Sequence, residues 1–387
     1  MDVTGRSLQT VVVLSVSAGA GHVRAAQALQ AAAERWYESV KVVHIDVMEL
    51  VSRLFRKVYA ETYIDVVERH PAFWGYLYAL TDREPTDSSM SQLRAAIEHL
   101  NTRKLGQALR DSAPDHVICT HFLPAQLLSR QRGKGDFRRP VWVQVTDFDV
   151  HALWVHQHLT GYFAASDEVA WRMVERGIPA GNVHVTGIPI MPAFGETLSR
   201  AACAAELGLD PAKTTLLMMS GGAGIGGIER LAERLLRLDR DFQLVALAGR
   251  NEQLLDRLRA IAVHHPSRLY PLGFTRTIER VMAVADLAIT KPGGLTTSEC
   301  LAVGLPMIVI SPIPGQEERN ADYLLENGAA LKACDEGALS YRVDRLLSEP
   351  SLLVALRANA HRLGRPDAAR AVLDKVLGKT PSRNPAA

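Results

Sequence analysis

Short runs of Val, Ile and Leu alternate with longer stretches rich in Ala, Leu and Arg, and the alternation runs through the chain twice. The first series reads "TVVVLSVSA", "KVVHIDV", "HVICTHF", "VWVQVTDF", "GYFAASDEVAWRMVERG" and "VHVTGIPI". The second reads "TTLLMMSGG", "FQLVALAGR", "RLYPLGFT", "LAITKPGG" and "PMIVISPI". Strands that are apolar along their whole length and separated by helices imply parallel sheet buried on both faces. A proline-rich break, "IPIMPAFGETLSRAACAAELGLDP", separates the two series near residues 190 to 212. The expected architecture is therefore α/β, with two similar doubly wound, Rossmann-like domains facing a central cleft. Ligands of such sheets bind at the carboxyl ends of the strands. We place an N-terminal domain at 1–195, a C-terminal domain at 196–370 and a disordered tail at 371–387, which ends in "TPSRNPAA".

With 387 residues, each domain is large enough to bury its own core. Lys plus Arg number 44 against 42 Asp plus Glu, so no global charge points to nucleic acid, and any basic surface is local. The cysteines, Cys119, Cys203, Cys300 and Cys334, form no CxxC pair, which argues against a zinc ribbon or a secreted disulfide framework and suits a reducing cytoplasm. No signal-peptide pattern opens the chain, and no apolar stretch reaches the roughly 18 residues of a membrane helix.

Three glycine-rich turns follow strands: "SAGAGH" at 17–22, "SGGAGIGG" at 220–227 and "KPGGLTT" at 291–297. Glycine admits a ligand close to the backbone, and the helix that follows offers unpaired N–H groups to a phosphate. The first turn has His22 and Val23 where a nucleoside triphosphatase places Lys and Ser or Thr. The second contains a formal GxGxxG at Gly222, Gly224 and Gly227, but the next strand ends in Arg250 rather than the acidic residue of an NAD site. In the third, Gly293 and Gly294 open a helix with Thr296 and Thr297 as hydroxyl donors, a design for a diphosphate. One turn on, Glu299 suits a ribose diol. After the next strand the loop "PGQEERN" gathers Gln316, Glu317 and Asn320, which suit sugar hydroxyls. Diphosphate, ribose and sugar together describe a nucleotide sugar.

At this point the residues resemble a known family. "SAGAGHVRAAQAL", "VTDFDVHALWVH", "TGIPI", "SGGAG", "TKPGGLTTSECLAVGLP" and "PGQEERNADYLLENGAA" are similar to the diacylglycerol glycosyltransferases of glycosyltransferase family 28, which include plant-type monogalactosyldiacylglycerol synthases and bacterial processive glucosyltransferases. The likeness spans about residue 10 to residue 365. It implies a GT-B fold, acceptor binding mainly by the first domain, UDP-sugar binding mainly by the second, and inversion at the anomeric carbon. Carried over by motif, His22 is the base or the group that orients the acceptor, after the turn that holds Gly21. Gly293, Gly294 and Thr296 match the diphosphate loop, and Glu299 matches the ribose-binding glutamate. Gln316 and Glu317 match the sugar-contacting pair, and Phe274 falls where uracil is held. The first turn reads Ala18-Gly19-Ala20-Gly21, so a glycine often seen there in the family is alanine. UDP leaves as an anion that helix N-termini can stabilise, so no metal or other cofactor is expected.

"DFD" at Asp147 and Asp149, followed by His151, His156 and His158, imitates a metal-binding spacing. We assign Asp147 and His151 to acceptor contact or structural support, since a metal needs ligands that converge in space. An acceptor that lies in a bilayer requires a docking surface. Residues 51–80 contain Phe55, Tyr59, Tyr63, Phe73, Trp74, Tyr76 and Tyr78 beside Arg53, Arg56 and Lys57, a composition that suits an interfacial helix. The stretch "RQRGKGDFRR" at 130–139 suits anionic headgroups. The reading is a cytoplasmic enzyme peripheral to the inner face of the membrane, whose partners are a UDP-sugar, diacylglycerol or a related lipid and an anionic surface, with no nucleic acid. Four alternatives stay open. They are transfer to another lipid such as a polyprenyl diphosphate intermediate, UDP-N-acetylglucosamine 2-epimerisation, a nicotinamide dehydrogenase and a non-catalytic nucleotide-sugar sensor.

Overall fold

The computed structural model describes residues 8–17, 19–51, 82, 102–219 and 227–379. The chain forms two compact units. The first comprises the chain up to Pro192, the short stretch Ile313–Gln316 and the chain from Asp367 onward; the second comprises Ala193–Pro312 and Glu317–Pro366.

In the first unit the described elements are β1 (Gln9–Ser15), α1 (Ala20–Trp36), β2 (Val40–Asp46), α2 (Thr102–Ser112), β3 (His116–Cys119), α3 (Phe122–Gly133), β4 (Val141–Gln144), β5 (Gly161–Ala164), α4 (Asp167–Glu175) and β6 (Val183–Val185). The strands pair in parallel in the order β2-β1-β3-β4-β5-β6. After β2 the chain returns to the far side of β1, so the strand order reverses between β1 and β3. That reversal opens a crevice at their carboxyl ends.

The second unit repeats the plan with α5 (Arg200–Leu207), β7 (Thr215–Met219), α6 (Ile228–Leu236), β8 (Gln243–Gly249), α7 (Glu252–Val263), β9 (Leu269–Gly273), α8 (Ile278–Val284), β10 (Leu287–Thr290), α9 (Gly294–Ala302), β11 (Met307–Ile310), α10 (Gln316–Glu326), β12 (Ala330–Ala333), α11 (Glu336–Ser348) and α12 (Pro350–Leu363). Its strand order, β12-β11-β10-β7-β8-β9, reverses between β7 and β10. The turn that carries Gly293 and Gly294 leaves β10 at that point.

Three expectations need correction. Residues 371–376 are not tail but the second half of α13 (Ala368–Val376). Its Val372, Leu373 and Val376 are buried with Val11, Val13, Leu29 and Tyr37 of the first unit, and burial stabilises by roughly 1.5–3 kcal/mol per large apolar side chain. The Tyr37 hydroxyl donates to Asp374 at 2.7 Å, and burial together with that carboxylate pushes the phenol's pKa up. Secondly, "PGQEERN" is not a loop throughout: α10 starts at Gln316, so Glu317 and Glu318 lie in a first helical turn, where carboxylates suit the helix dipole. Thirdly, the sheet of the second unit has a sixth strand, β12, that the series of apolar runs does not reveal.

Candidate functional site

In the first unit the glycine turn ends at Gly19, the N-cap of α1, and Gly21 and His22 occupy the helix's first turn. His22 is half-buried, and its Nδ1 lies 2.7 Å from the carbonyl oxygen of Thr120 and 3.0 Å from Oγ1 of Thr146. A carbonyl can only accept, so Nδ1 carries the proton and Nε2 keeps its lone pair. Thr120 follows β3 and Thr146 follows β4, so three adjacent strand ends fix this one ring. Thr120 also donates through Oγ1 to the carbonyl of His22 at 3.0 Å, which ties the first turn of α1 to the end of β3.

Aromatic rings close the wall. His121 meets His22 edge-on at 4.6 Å between centroids, and Trp154 lies 6.1 Å from His22 and 6.3 Å from His121. The Nδ1 of His121 accepts the N–H of Leu123 and caps α3, so that nitrogen carries no proton. Burial pushes the pKa of His121 well below its ordinary value, with a smaller push from His22. His22 itself is lowered to about 4, burial outweighing the bond to Thr120. A lowered pKa leaves the imidazole neutral, and so able to accept a proton, at every pH above about 4. The acid limb of kcat/KM is therefore expected near pH 4–5 rather than near 6.5. A pH–rate profile with an acid limb at 6.5 would show that the working ring is not this desolvated one.

Thr120, His121, Thr146 and Trp154 went unrecognised in the sequence. The available signal was a polar residue directly after a buried apolar run, as in "HVICTH" and "VWVQVT". Among the described residues no three His, Cys, Asp or Glu side chains converge on a metal position. Asp149 pairs with Arg172 at 3.2 Å, and His151 accepts the N–H of Leu153 through Nδ1, which are structural duties. The hydroxyl of Tyr162 accepts the backbone N–H of His156 at 2.8 Å, and His158 has a positive φ of 61°.

In the second unit Gly293 is the N-cap of α9 and Gly294 its first residue. A Cβ at Gly293 would meet nothing closer than Oε1 of Glu317, at 3.8 Å. The protein's own packing among the described residues therefore does not require glycine there. The same distance brings the turns after β10 and β11 together. Thr296 is half-buried, whereas Thr297 is fully buried and its hydroxyl has no partner among the described residues. Glu299 is 9% exposed. Asn320 departs from its expected role: it is fully buried and its amide donates to the carbonyl of Pro292 at 3.0 Å, so it holds the glycine turn in place. Ser311 adopts a φ of 42° just before Gln316 and Glu317, a strained backbone of the kind that clusters at ligand sites. Phe274, after β9, is 55% exposed and carries the guanidinium of Arg250 4.7 Å from its ring centre. Gly222 and Gly224, and residues 52–80 of the aromatic stretch, lie outside the described residues.

Comparison with known proteins places the chain in a family. The monogalactosyldiacylglycerol (MGDG) synthase family matches residues 22–190, and the glycosyltransferase family 28 C-terminal domain matches residues 227–371. A processive diacylglycerol beta-glucosyltransferase of Bacillus licheniformis is 28% identical over 373 residues, 95% of this chain and 94% of that protein. Its namesake from Bacillus subtilis is 31% identical over 279 residues, 72% of each chain. Among solved structures, MurG of Acinetobacter baumannii superposes with a TM-score of 0.62 at 16% identity, covering 96% of this chain and 99% of that one. That likeness establishes the GT-B fold.

Proposed function

The chain belongs to the diacylglycerol glycosyltransferases of family 28, and from that premise we propose that it moves a hexose from a UDP-sugar to 1,2-diacylglycerol, or to a glycosyldiacylglycerol when it acts processively. The observation that carries the reading is His22, held at a strand-order reversal with Nδ1 committed to Thr120 and Nε2 left with a lone pair. An alcohol is a poor nucleophile at neutral pH. As its oxygen bonds to the anomeric carbon, Nε2 takes its proton while the bond from that carbon to the diphosphate oxygen breaks and UDP departs. The N-terminus of α9, with Gly293, Gly294 and Thr296, stabilises the leaving diphosphate, so that no metal or other cofactor is needed. Glu299 takes the ribose, Gln316 and Glu317 the sugar, and Phe274 the base. Asn320 serves the site by fixing the turn rather than by touching sugar.

Lipid analysis with each UDP-sugar in turn, in a chelating buffer, tests this directly. The names of the relatives make UDP-glucose the first donor to try. A hexosyl lipid that appears only when diacylglycerol is supplied is expected. Conversion of UDP-N-acetylglucosamine without lipid would transfer the assignment to an epimerase.

No helix among the described residues is long and apolar enough to cross a membrane. We take the enzyme to work at the cytoplasmic face of the membrane by surface attachment. Support comes from a groove of about 1020 Å³ between α2 and the segment after α3, lined by Lys104, Gln107, Arg110, Phe137, Arg138 and Arg139. The basic stretch 130–139 thus gains Lys104 and Arg110 from a neighbouring helix. Replacing Arg138 and Arg139 by Glu should weaken binding to vesicles that contain acidic phospholipid by tenfold or more, at about 1 kcal/mol for each basic residue near the surface. Equal binding of variant and wild type in a sedimentation assay would locate the attachment elsewhere.

A further inference from the structure

The turn that carries Trp154 is held in place by a carboxylate to which the transfer chemistry gives no role. Three backbone N–H groups in this turn are each satisfied by a side chain. That of Val150 goes to Asp149 at 2.8 Å, that of Leu153 to His151 at 3.1 Å and that of Ala152 to Asp82 at 2.9 Å. The first two acceptors are local. Asp82 is not, since it lies 70 residues earlier in the chain. Its carboxylate also pairs with Arg176, just after α4, at 2.8 Å, and Asp149 pairs with Arg172 of the same helix at 3.2 Å. Nδ1 of His151 accepts from Leu153, so the proton of the neutral ring sits on Nε2, which lies 4.0 Å from Asp82. The turn is thereby fastened to α4 at two points, and Trp154 at its end is buried within ring-packing distance of His22.

We propose that Asp82 is a positioning residue for transfer to the acceptor: by clamping Ala152 to Arg176 it sets Trp154, and through Trp154 the plane of the His22 imidazole. The proposal rests on the reading of His22 as the base. A general base works only within hydrogen-bond reach and alignment, and a displacement of about 1 Å can cost on the order of a hundredfold in rate. Asp82 touches no reacting atom in this scheme.

The test uses the full chain with Asp82→Ala, Asp82→Asn and Arg176→Gln, each assayed for kcat, for KM of the UDP-sugar and for the proton-coupled nitrogen signals of His22 by NMR. Asp82→Ala should lower kcat by about 10- to 100-fold, leave the donor KM within about twofold and shift the His22 ring signals. Asp82→Asn keeps an acceptor for Ala152 and should fall between. Arg176→Gln combined with Asp82→Asn should do little more than either alone, because both cut the same pair. Wild-type kcat with unmoved His22 signals in Asp82→Ala would overturn the proposal. So would a loss of donor binding as large as the loss of kcat together with a lowered Tm, which would assign Asp82 to folding alone. If the Asp82 variants do not fold, Trp154→Phe probes the same contact, and an unchanged kcat there is equally fatal. Full turnover by His22→Ala would remove the base assignment, whereas the His22 ring signals report on Asp82 independently of it.

Discussion

His22→Ala should abolish glycolipid synthesis, with kcat lower by about 10²- to 10⁴-fold, the usual share of a general base, and with UDP-sugar binding unchanged. The size follows from how the ring is held. Thr120 and Thr146 fix Nδ1, His121 and Trp154 fix the plane, and burial keeps the imidazole neutral. Among the described residues no carboxylate bonds to this ring. His22→Gln fills a similar volume but has no basic nitrogen, and it should be as inactive as the alanine variant. Turnover within tenfold of wild type in either variant, read by single-turnover product formation, would remove His22 from the chemistry.

The largest effect on stability is expected at Gly364, where α12 ends against α9. A Cβ there would stand 2.4 Å from the carbonyl oxygen of Leu301 and 3.1 Å from Cα of Ala302, both backbone atoms of the last turn of α9. Backbone cannot rotate aside as a side chain can, so Gly364→Ala must push the helices apart, at about 1–3 kcal/mol or more. In a unit of this size that corresponds to a fall in Tm of several degrees, at roughly 2–4 °C per kcal/mol. The displaced helix is the one whose N-terminus forms the Gly293–Thr296 turn, so the donor KM should rise as well. Gly181→Ala provides the control. Nothing lies within 4 Å of its added Cβ, and its Tm should stay where it was. Equal melting temperatures for the two variants would mean that the packing of α12 on α9 does not limit stability.

The sequence is informative about the strands and much less so about what surrounds the catalytic ring. Runs such as "TVVVLSV" and "VWVQV" read as buried parallel strands because both faces lie in the core, and β1 and β4 are found there. β12 escapes because "ALKA" is only four residues long, with its two ends buried and its middle half-buried, a pattern too brief to separate from loop. α10 looks like a loop in the sequence because its first turn, "QEER", is wholly polar, and the apolar face that defines the helix begins only at Ala321 and Leu324. The end of α13 resembles a tail in the sequence because its partners, Tyr37 and the core of β1 and α1, lie more than three hundred residues away. His22 was legible from its glycine turn. Thr120, Thr146, Trp154 and Asp82 were not, since each acts through a contact made far along the chain. Asn320 shows the opposite error, an amide in a suggestive segment that the fold uses for itself.

The measurement that tests the account most directly is the anomeric configuration of the lipid product, read from its proton NMR coupling after incubation of wild-type enzyme with diacylglycerol and an α-linked UDP-hexose in the presence of a chelator. Direct attack by the acceptor hydroxyl, with His22 taking its proton, inverts the centre and predicts a β-linked hexosyl diacylglycerol. An α-linked product would mean retention, by two displacements or by attack on the face the diphosphate leaves, rather than direct displacement, and it would contradict the account.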